Sequence, residues 1–421
     1  MTDKPIVPEE ESPGDSAGPV PHEADQQLAP GVRPDPVINT ANERLSDGVN
    51  RCPKCGSTDI QLRVSSGMLI CLFCRHEWAE ERIDPIVTGT TDLRDLRGTT
   101  VASAASDITS DDLTVTLKCA GCGSEVVVNT AEATSSRCHW CRHVLGINEQ
   151  VPNGAVPDAV LPFSLTRDQA VERIREFAGK RQLFAHRRFV REFAPDNVVG
   201  VYLPYMVVDG NVSADVRGVA EIETRRYTRG SGDNKETVYD ADVYRIHRHV
   251  DFTVDDLTLE SSSARAQMDS FVNTNNVINT ILPFDTANAV KWNANYLVGY
   301  TSERRDQDGS QLVPALEHQL LSIARSEVVS SVKMYDRGVR WEAEGLDVHG
   351  TLWVAMYLPV WLYSFYHQEG GRAMVHYIAV NGRNGETMGS VPVSQPRLIM
   401  AALTTGTVLE ALAIFLLVAF S

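Results

Sequence analysis

Apolar positions along the chain fall into regimes with different spacing. Residues 1–50 hold no apolar run long enough to pack, and residues 51–147 carry short apolar runs broken by pairs of cysteines. After Pro157 the spacing becomes that of a packed domain. Thr166-Arg-Asp-Gln169 reads as a capping box, followed by Ala170, Val171, Ile174, Phe177 and Ala178 on one helical face. Strands follow: Gly200-Val-Tyr-Leu-Pro204 leads into alternating segments at 222–227 and 238–252, joined by a polar Ser231-Gly-Asp-Asn234 turn. A second helix, from Gln311 to about Ser331, places Leu312, Leu316, Leu320, Ile323 and Val328 at helical spacing. The apolar stretch at 352–366 contains Pro359 and several aromatics, which makes it a buried strand rather than a membrane span. Turns at Gly370-Gly371 and Asn381-Gly382 complete a meander through 374–380 and 388–391.

Residues 398–420 are different again: 23 residues with one charge, Glu410. As a helix they span about 35 Å, enough to cross a bilayer core of about 30 Å. A buried amphipathic helix is the alternative, and the position at the chain end argues against it. Arg397 precedes the run and nothing positive follows it, which predicts a tail anchor with the N-terminal bulk in the cytoplasm. Glu410 then either snorkels or contacts another membrane helix.

Composition sharpens this picture. Hydrophobic residues are 43% and charged residues 22% of 421 positions, ordinary globular usage with room for two or three domains. The formal net charge of −16 argues against non-specific coating of nucleic acid, which requires a positive surface. Eight of the 20 prolines lie in residues 1–50, with ten acidic residues against three basic ones. That segment reads as a disordered acidic leader, neither signal peptide nor domain.

All eight cysteines fall into two sets of identical spacing. Cys52, Cys55, Cys71 and Cys74 read C-x2-C-x15-C-x2-C, and so do Cys119, Cys122, Cys138 and Cys141, offset by a constant 67 residues. Cys55-Gly-Ser matches Cys122-Gly-Ser, and Cys74-Arg-His matches Cys141-Arg-His, so the sets are an internal duplication. Two residues between cysteines let the backbone turn as a knuckle, and two knuckles on a hairpin close a four-thiolate Zn2+ site. Such a site has no open position for water and is structural. Redox dithiols are the competing reading. Phe73 and Trp140 are expected to shield the thiolates. His76, His139 and His143 flank the knuckles, either as substitute ligands or as groups that bond thiolates or face solvent. The intervening segment at 88–112 lacks a sustained period and reads as a flexible joiner.

Three weaker signals complete the reading. Arg173, Arg175, Lys180, Arg181, Arg187, Arg188 and Arg191 form the one local basic patch, a candidate surface for anionic lipid headgroups, an acidic partner or nucleic acid, with a solvated helix face as the alternative. His247, His249 and Asp251 share a strand face at period two, a metal-ligand pattern that water-facing side chains also give. Leu161-Pro-Phe163 with Tyr202-Leu-Pro204 echoes Leu282-Pro-Phe284 with Tyr357-Leu-Pro359, suggesting a duplicated body, although the intervals are 41 and 75 residues. No catalytic fingerprint appears, which favours a non-enzyme.

The segments CPKCGS at Cys52, LPF at Leu161, GVYLPY at Gly200, YLPVWLYSFY at Tyr357 and HYIAVNGRNGETMGSVPVS at His376 carry a resemblance. The chain resembles the bacterial membrane-anchored TFIIB-type zinc-ribbon-containing proteins, often labelled primosomal or replication-factor-like. AVNGRNGE from Ala379 is its most specific element, and the complete second cysteine set is a departure. The resemblance implies an inner-membrane adaptor tied to membrane stress, with SPFH (flotillin-like) or phage-shock-protein-A-like partners. The expected architecture is multi-domain: a leader (1–50), zinc ribbon (51–80), linker (81–117) and second zinc ribbon (118–147). An α+β, β-rich body (155–392) and a transmembrane helix (398–420) follow. A membrane-tethered nucleic-acid-binding protein is the alternative.

Overall fold

Two strands of great length organise the body of the computed structural model. It describes residues 37–38, 51–83, 92–102, 105, 114–122, 124–129, 136–145, 150–151, 156–181, 184–230, 235–263, 280–369 and 372–420. The acidic leader outside 37–38 and the turns at 231–234 and 370–371 lie outside the described residues.

In chain order the strands are β1 (Val37–Ile38), β2 (Ile60–Arg63), β3 (Met68–Cys71), β4 (Glu77–Trp78), β5 (Gly98–Val101), β6 (Thr114–Lys118), β7 (Glu125–Asn129) and β8 (Gln150–Val151). Next come β9 (Ala159–Val160), β10 (Val198–Arg229), β11 (Glu236–Glu260), β12 (Val290–Lys291), β13 (Thr301–Glu303), β14 (Val339–Glu369), β15 (Arg372–Asn381) and β16 (Thr387–Gly389). The α-helices are α1 (Arg167–Gly179), α2 (Arg187–Glu192), α3 (Gly309–Val328) and α4 (Gln395–Phe420). Strands β2, β3 and β4 form a small sheet of their own; the other 13 form one large sheet in which β10 and β14 are central neighbours.

The expected capping box is present: Gln169 N–H donates to Thr166 Oγ1 while Gln169 Oε1 accepts from Thr166 N–H. Asp308 and Gln311 repeat the device at the start of α3. Along β10 alternate residues enter different buried clusters. Val201, Leu203, Tyr205 and Val207 join one. Tyr202 packs with α1, whereas Met206 and Val208 pack with α3. In β14, Val354, Met356, Leu358, Val360 and Leu362 share the first cluster. Both faces are therefore covered, which is why 352–366 is continuously apolar without being a span.

A local twofold relates two halves of the body. Antiparallel pairing sets Tyr202 opposite Pro359, Leu203 opposite Leu358 and Pro204 opposite Tyr357. On one side Ser261 N–H donates to the Pro204 carbonyl, and on the other Gly382 N–H donates to the Pro359 carbonyl. The Ser261 carbonyl accepts from Asp306 and Gln307 N–H groups; the Gly382 carbonyl accepts from Ser164 and Leu165. Each half is thus a strand, a capped helix and a long hairpin. The equivalent of Leu161-Pro162-Phe163 is Glu303-Arg304-Arg305, not Leu282-Pro283-Phe284 as the sequence suggested. Buried Phe163 on one side is matched by wholly buried Arg305 on the other, which faces the charge of Asp158.

Ala379–Glu386, the most specific motif, locks these parts together. Buried Asn381 donates from Nδ2 to the carbonyls of Ile281 (2.8 Å) and Pro283 (3.0 Å), and its Oδ1 accepts from the N–H of Arg383. Arg383 forks onto Asp285 and donates from Nη1 to the Pro162 carbonyl. A Cβ on Gly382 would lie 2.7 Å from the Phe163 ring, so only glycine fits.

Two sequence expectations need correction. The joiner at 88–112 includes β5, which pairs in parallel with β14 and places Ala102 and Ala105 in the core. Val37–Ile38 in the leader pairs with β5. In both cases the pairing partner is distant in sequence and therefore invisible to local pattern. Asn381→Ala strands the buried Ile281 carbonyl, while the Pro283 carbonyl keeps Asn384 Nδ2 at 2.9 Å; a destabilisation of about 2 kcal/mol is expected, read as a lowered melting temperature at unchanged zinc content.

Candidate metal centres

Each cysteine set is built by two matching turns. In the first, Gly56 N–H donates to the Cys52 carbonyl and Arg75 N–H to the Cys71 carbonyl, both at 2.9 Å. The second set repeats the latter bond, from Arg142 to Cys138, also at 2.9 Å. Residues that follow the second cysteine of a knuckle carry positive φ: Gly56 at 73°, Arg75 at 61° and Arg142 at 64°. The chain must pass through the left-handed region to aim both thiols inward.

The sulfurs converge. Cys52 and Cys74 Sγ lie 3.6 Å apart, as do Cys55 and Cys71; in the second set Cys119–Cys141 is 3.4 Å and Cys122–Cys138 is 3.6 Å. Four sulfurs about 2.3 Å from a tetrahedral zinc would sit about 3.8 Å apart, so both sets fit the ion. Their protonation agrees. The Cys122 thiol, bonded to Cys138, is held down at about 4, and the same bond pushes Cys138 up. The Cys74 N–H holds Cys71 down at about 6. Unlike neighbours in one cluster mean that not all four thiols ionise together unless a cation neutralises them, so zinc binding would release protons. Both clusters can hold two zinc ions in total.

The flanking groups behave differently in the two copies. Trp140 shares a buried cluster with Cys119 and Cys138, as expected of a residue that shields sulfur, and also enters the body: its indole N–H donates to Glu303 Oε1 at 2.5 Å and its ring meets Tyr377 edge-on. His139 is buried with Nδ1 3.2 Å from Thr301 Oγ1, and its carbonyl accepts from Ser364. His139 is outside the thiolate cluster and does not face solvent, which corrects the expectation for this histidine. Phe73, at the position matching Trp140, is 79% exposed and shields nothing. His76 stacks on Trp78. Gly123 lies outside the described residues.

Both ribbons are fixed to the body. Ile60, Leu62 and Leu69 of the first pack with Phe163, Tyr202 and Tyr296. The hairpin of the second, β6–β7, joins the large sheet through β13.

Among the described residues the strand histidines belong to no group of three metal-ligating side chains. His247 Nε2 and His249 Nδ1 lie 2.6 and 3.4 Å from Asp215 Oδ1, and His249 Nε2 lies 3.3 Å from Asp251. This is an exposed charge ladder across the β10–β11 pair. Asp209, Asp255 and Asp256, which the sequence reading did not single out, bring carboxylate oxygens within 4.8 Å of one another. They sit beside a register shift in β10–β11, a juxtaposition no local pattern encodes.

Of the basic patch, four members are paired locally: Arg175 with Glu172, Lys180 with Glu176, and Arg188 and Arg191 with Glu192. Among the described residues Arg173, Arg181 and Arg187 have no carboxylate within ion-pair distance. The patch lies beside the root of α4, because Ala185 bridges to Val393, Ser394 N–H donates to the Phe184 carbonyl, and Arg397 donates to the Ala185 carbonyl. The α4 side chains at 408, 411–415 and 417–420 lie outside the described residues. Among the described residues no helix is long and apolar enough to cross a membrane, so the fold itself does not support a span at 398–420.

Comparison with known proteins adds little. No protein-family model matches the chain, and no solved structure matches it. A similar protein is the uncharacterized protein YdjG of Bacillus subtilis (strain 168), 22% identical over 239 residues. The match covers 57% of this chain and 64% of that protein, so it spans less than two thirds of the relative.

Full metal loading is expected at two zinc ions per chain, counted by elemental analysis. Trp140→Ala should cost about 3–5 kcal/mol of stability because it empties a buried, hydrogen-bonded slot. Phe73→Ala should stay within about 0.5 kcal/mol of wild type. Equal losses in chemical denaturation would contradict the asymmetry between the ribbons.

Proposed function

We propose that the protein is a tail-anchored zinc-ribbon adaptor that holds partner proteins at the cytoplasmic face of the inner membrane. The observation that carries this reading is the surface of α4. Its described large side chains are bare: Leu398, Ile399, Met400, Leu403 and Leu409 are 44–65% exposed. Bare apolar side chains along the described part of a 26-residue helix support contact with an apolar medium. Thr404, Thr405 and Thr407 return their hydroxyls to carbonyls of the same helix, which satisfies them where no water is available. The sequence of 398–420 supplies a hydrophobic length sufficient for a bilayer, with one charge. Basic residues at the root of α4 supply attraction to anionic headgroups.

The two closed thiolate sites support a structural, non-enzymatic role for the ribbons. The resemblance to membrane-anchored ribbon proteins supports SPFH or phage-shock-protein-A-like partners. Nucleic-acid binding is the second reading, favoured by the ribbons alone; the sparse, largely paired basic residues speak for lipid or protein instead.

Affinity capture of the full chain from solubilised membranes, with and without nuclease, tests the reading. Nuclease-insensitive recovery of membrane-organising proteins is expected. Recovery of nucleic-acid-processing proteins that vanishes with nuclease would overturn it in favour of the second reading.

A further inference from the structure

A groove of about 460 Å³ opens between α1 and the loop at 384–388. Its lining includes Arg173, Phe177, Lys180 and Arg181 on one wall and Gly385 and Met388 on the other. Both walls run directly into the root of α4: α1 through the Phe184–Ala185 backbone bonds, and β16 through the segment ending at Ser394.

Two of the cations in this groove, Arg173 and Arg181, are positioned with no carboxylate within ion-pair distance among the described residues. A Cβ on Gly385 would lie 3.2 Å from Arg173 Nε, so the glycine, at φ +79°, is what lets the guanidinium lie against the loop. Arg181 sits 3.6 Å from the Phe177 ring centroid and spends one N–H on the Phe177 carbonyl, which fixes the fork and leaves its other donors for a ligand. Lys180 and Glu176 neutralise each other at 2.8 Å. Glu386, exposed in the opposite wall, has no cation within ion-pair distance among the described residues. Arg173 and Arg181, neither within ion-pair distance of a carboxylate among the described residues, line the groove with the Glu386 carboxylate and suit an anion of single charge. A dianion would meet the repulsion of Glu386 without a third cation to offset it. Phe177 and exposed Met388 add an apolar wall beside the charges.

We propose that this groove binds a singly charged phosphodiester, presented by an anionic phospholipid headgroup at the foot of the membrane helix. Arg173 and Arg181 hold the phosphate oxygens, and Phe177 and Met388 face the glycerol end. The inference rests on the membrane reading above and deepens it.

The test uses the full chain in a neutral detergent, titrated by calorimetry with dihexanoylphosphatidylglycerol, dihexanoylphosphatidylcholine or inorganic phosphate. The phosphatidylglycerol is expected to bind through its net negative charge, the zwitterionic lipid more weakly because its ammonium cancels that charge against Arg173 and Arg181, and phosphate at least tenfold more weakly. Arg173→Gln/Arg181→Gln should weaken the phosphatidylglycerol at least tenfold with two zinc ions and an unchanged melting temperature. Glu386→Gln should bring phosphate closer to the lipid. Unaltered affinity in the double variant, or phosphate binding as tightly as the lipid, would overturn the proposal. Flotation with pure phosphatidylcholine vesicles in high salt reads the anchor separately. Loss of flotation with groove binding intact would reject the anchor, and flotation without groove binding would reject the headgroup site.

Discussion

The structure depends on the antiparallel pairing of two Tyr-Leu-Pro segments at the centre of β10 and β14. Proline lacks the N–H a central strand ordinarily donates, so its presence at this position demands an explanation. Pro204 and Pro359 each sit where one outer neighbour ends and another begins. Beyond Pro204, β10 pairs with β11 from Tyr205 onward; before it, Val201 and Tyr202 pair with β13. Beyond Pro359, β14 pairs with β15 from Val360; before it, Met356 and Tyr357 pair with β9. The missing donor falls at the changeover, where no ladder bond is lost. The change of partner lets each long strand hold two different elements, and those elements lead into the capped helices.

The ribbons are parts of this construction rather than appendages. Copies of one motif have taken opposite roles at one position: Trp140 closes a buried slot against Glu303 and Tyr377, while Phe73 stands in solvent. Ordering the second knuckle orders the tryptophan, so metal held there would stabilise the body directly. Zinc-binding free energy becomes folding free energy when the apo ligands are unstructured.

The proposed membrane side follows from the same connectivity. Helix α4 starts from a backbone clasp between 184–186 and 392–394, beside α1 and α2, which carry the basic residues. Charges spread over nineteen positions of sequence therefore surround the root of one apolar helix. Most are paired with carboxylates on their own helix, and such exposed pairs contribute little to stability. Arg173, Arg181 and Arg187 are the ones with no carboxylate within ion-pair distance among the described residues.

Cysteine spacing alone determined the two four-thiolate clusters, because a knuckle is a local turn and its ligands are few residues apart. The capping boxes were equally local, and the Thr166–Gln169 pair was readable for that reason. The central strand was legible as buried from its continuous apolar run. Tertiary structure alone decided which surfaces those elements meet. Residues 98–101 became a strand because β14 offered an open edge, and His139 was buried because Thr301 and Glu303 lie beneath it in space. The duplicated body was half visible: Tyr-Leu-Pro repeats in sequence, but its companion segment, Leu-Pro-Phe on one side, is Glu-Arg-Arg on the other. Backbone hydrogen bonds preserve that equivalence while side chains do not, since the ladder constrains the main chain and only the local core constrains the residue.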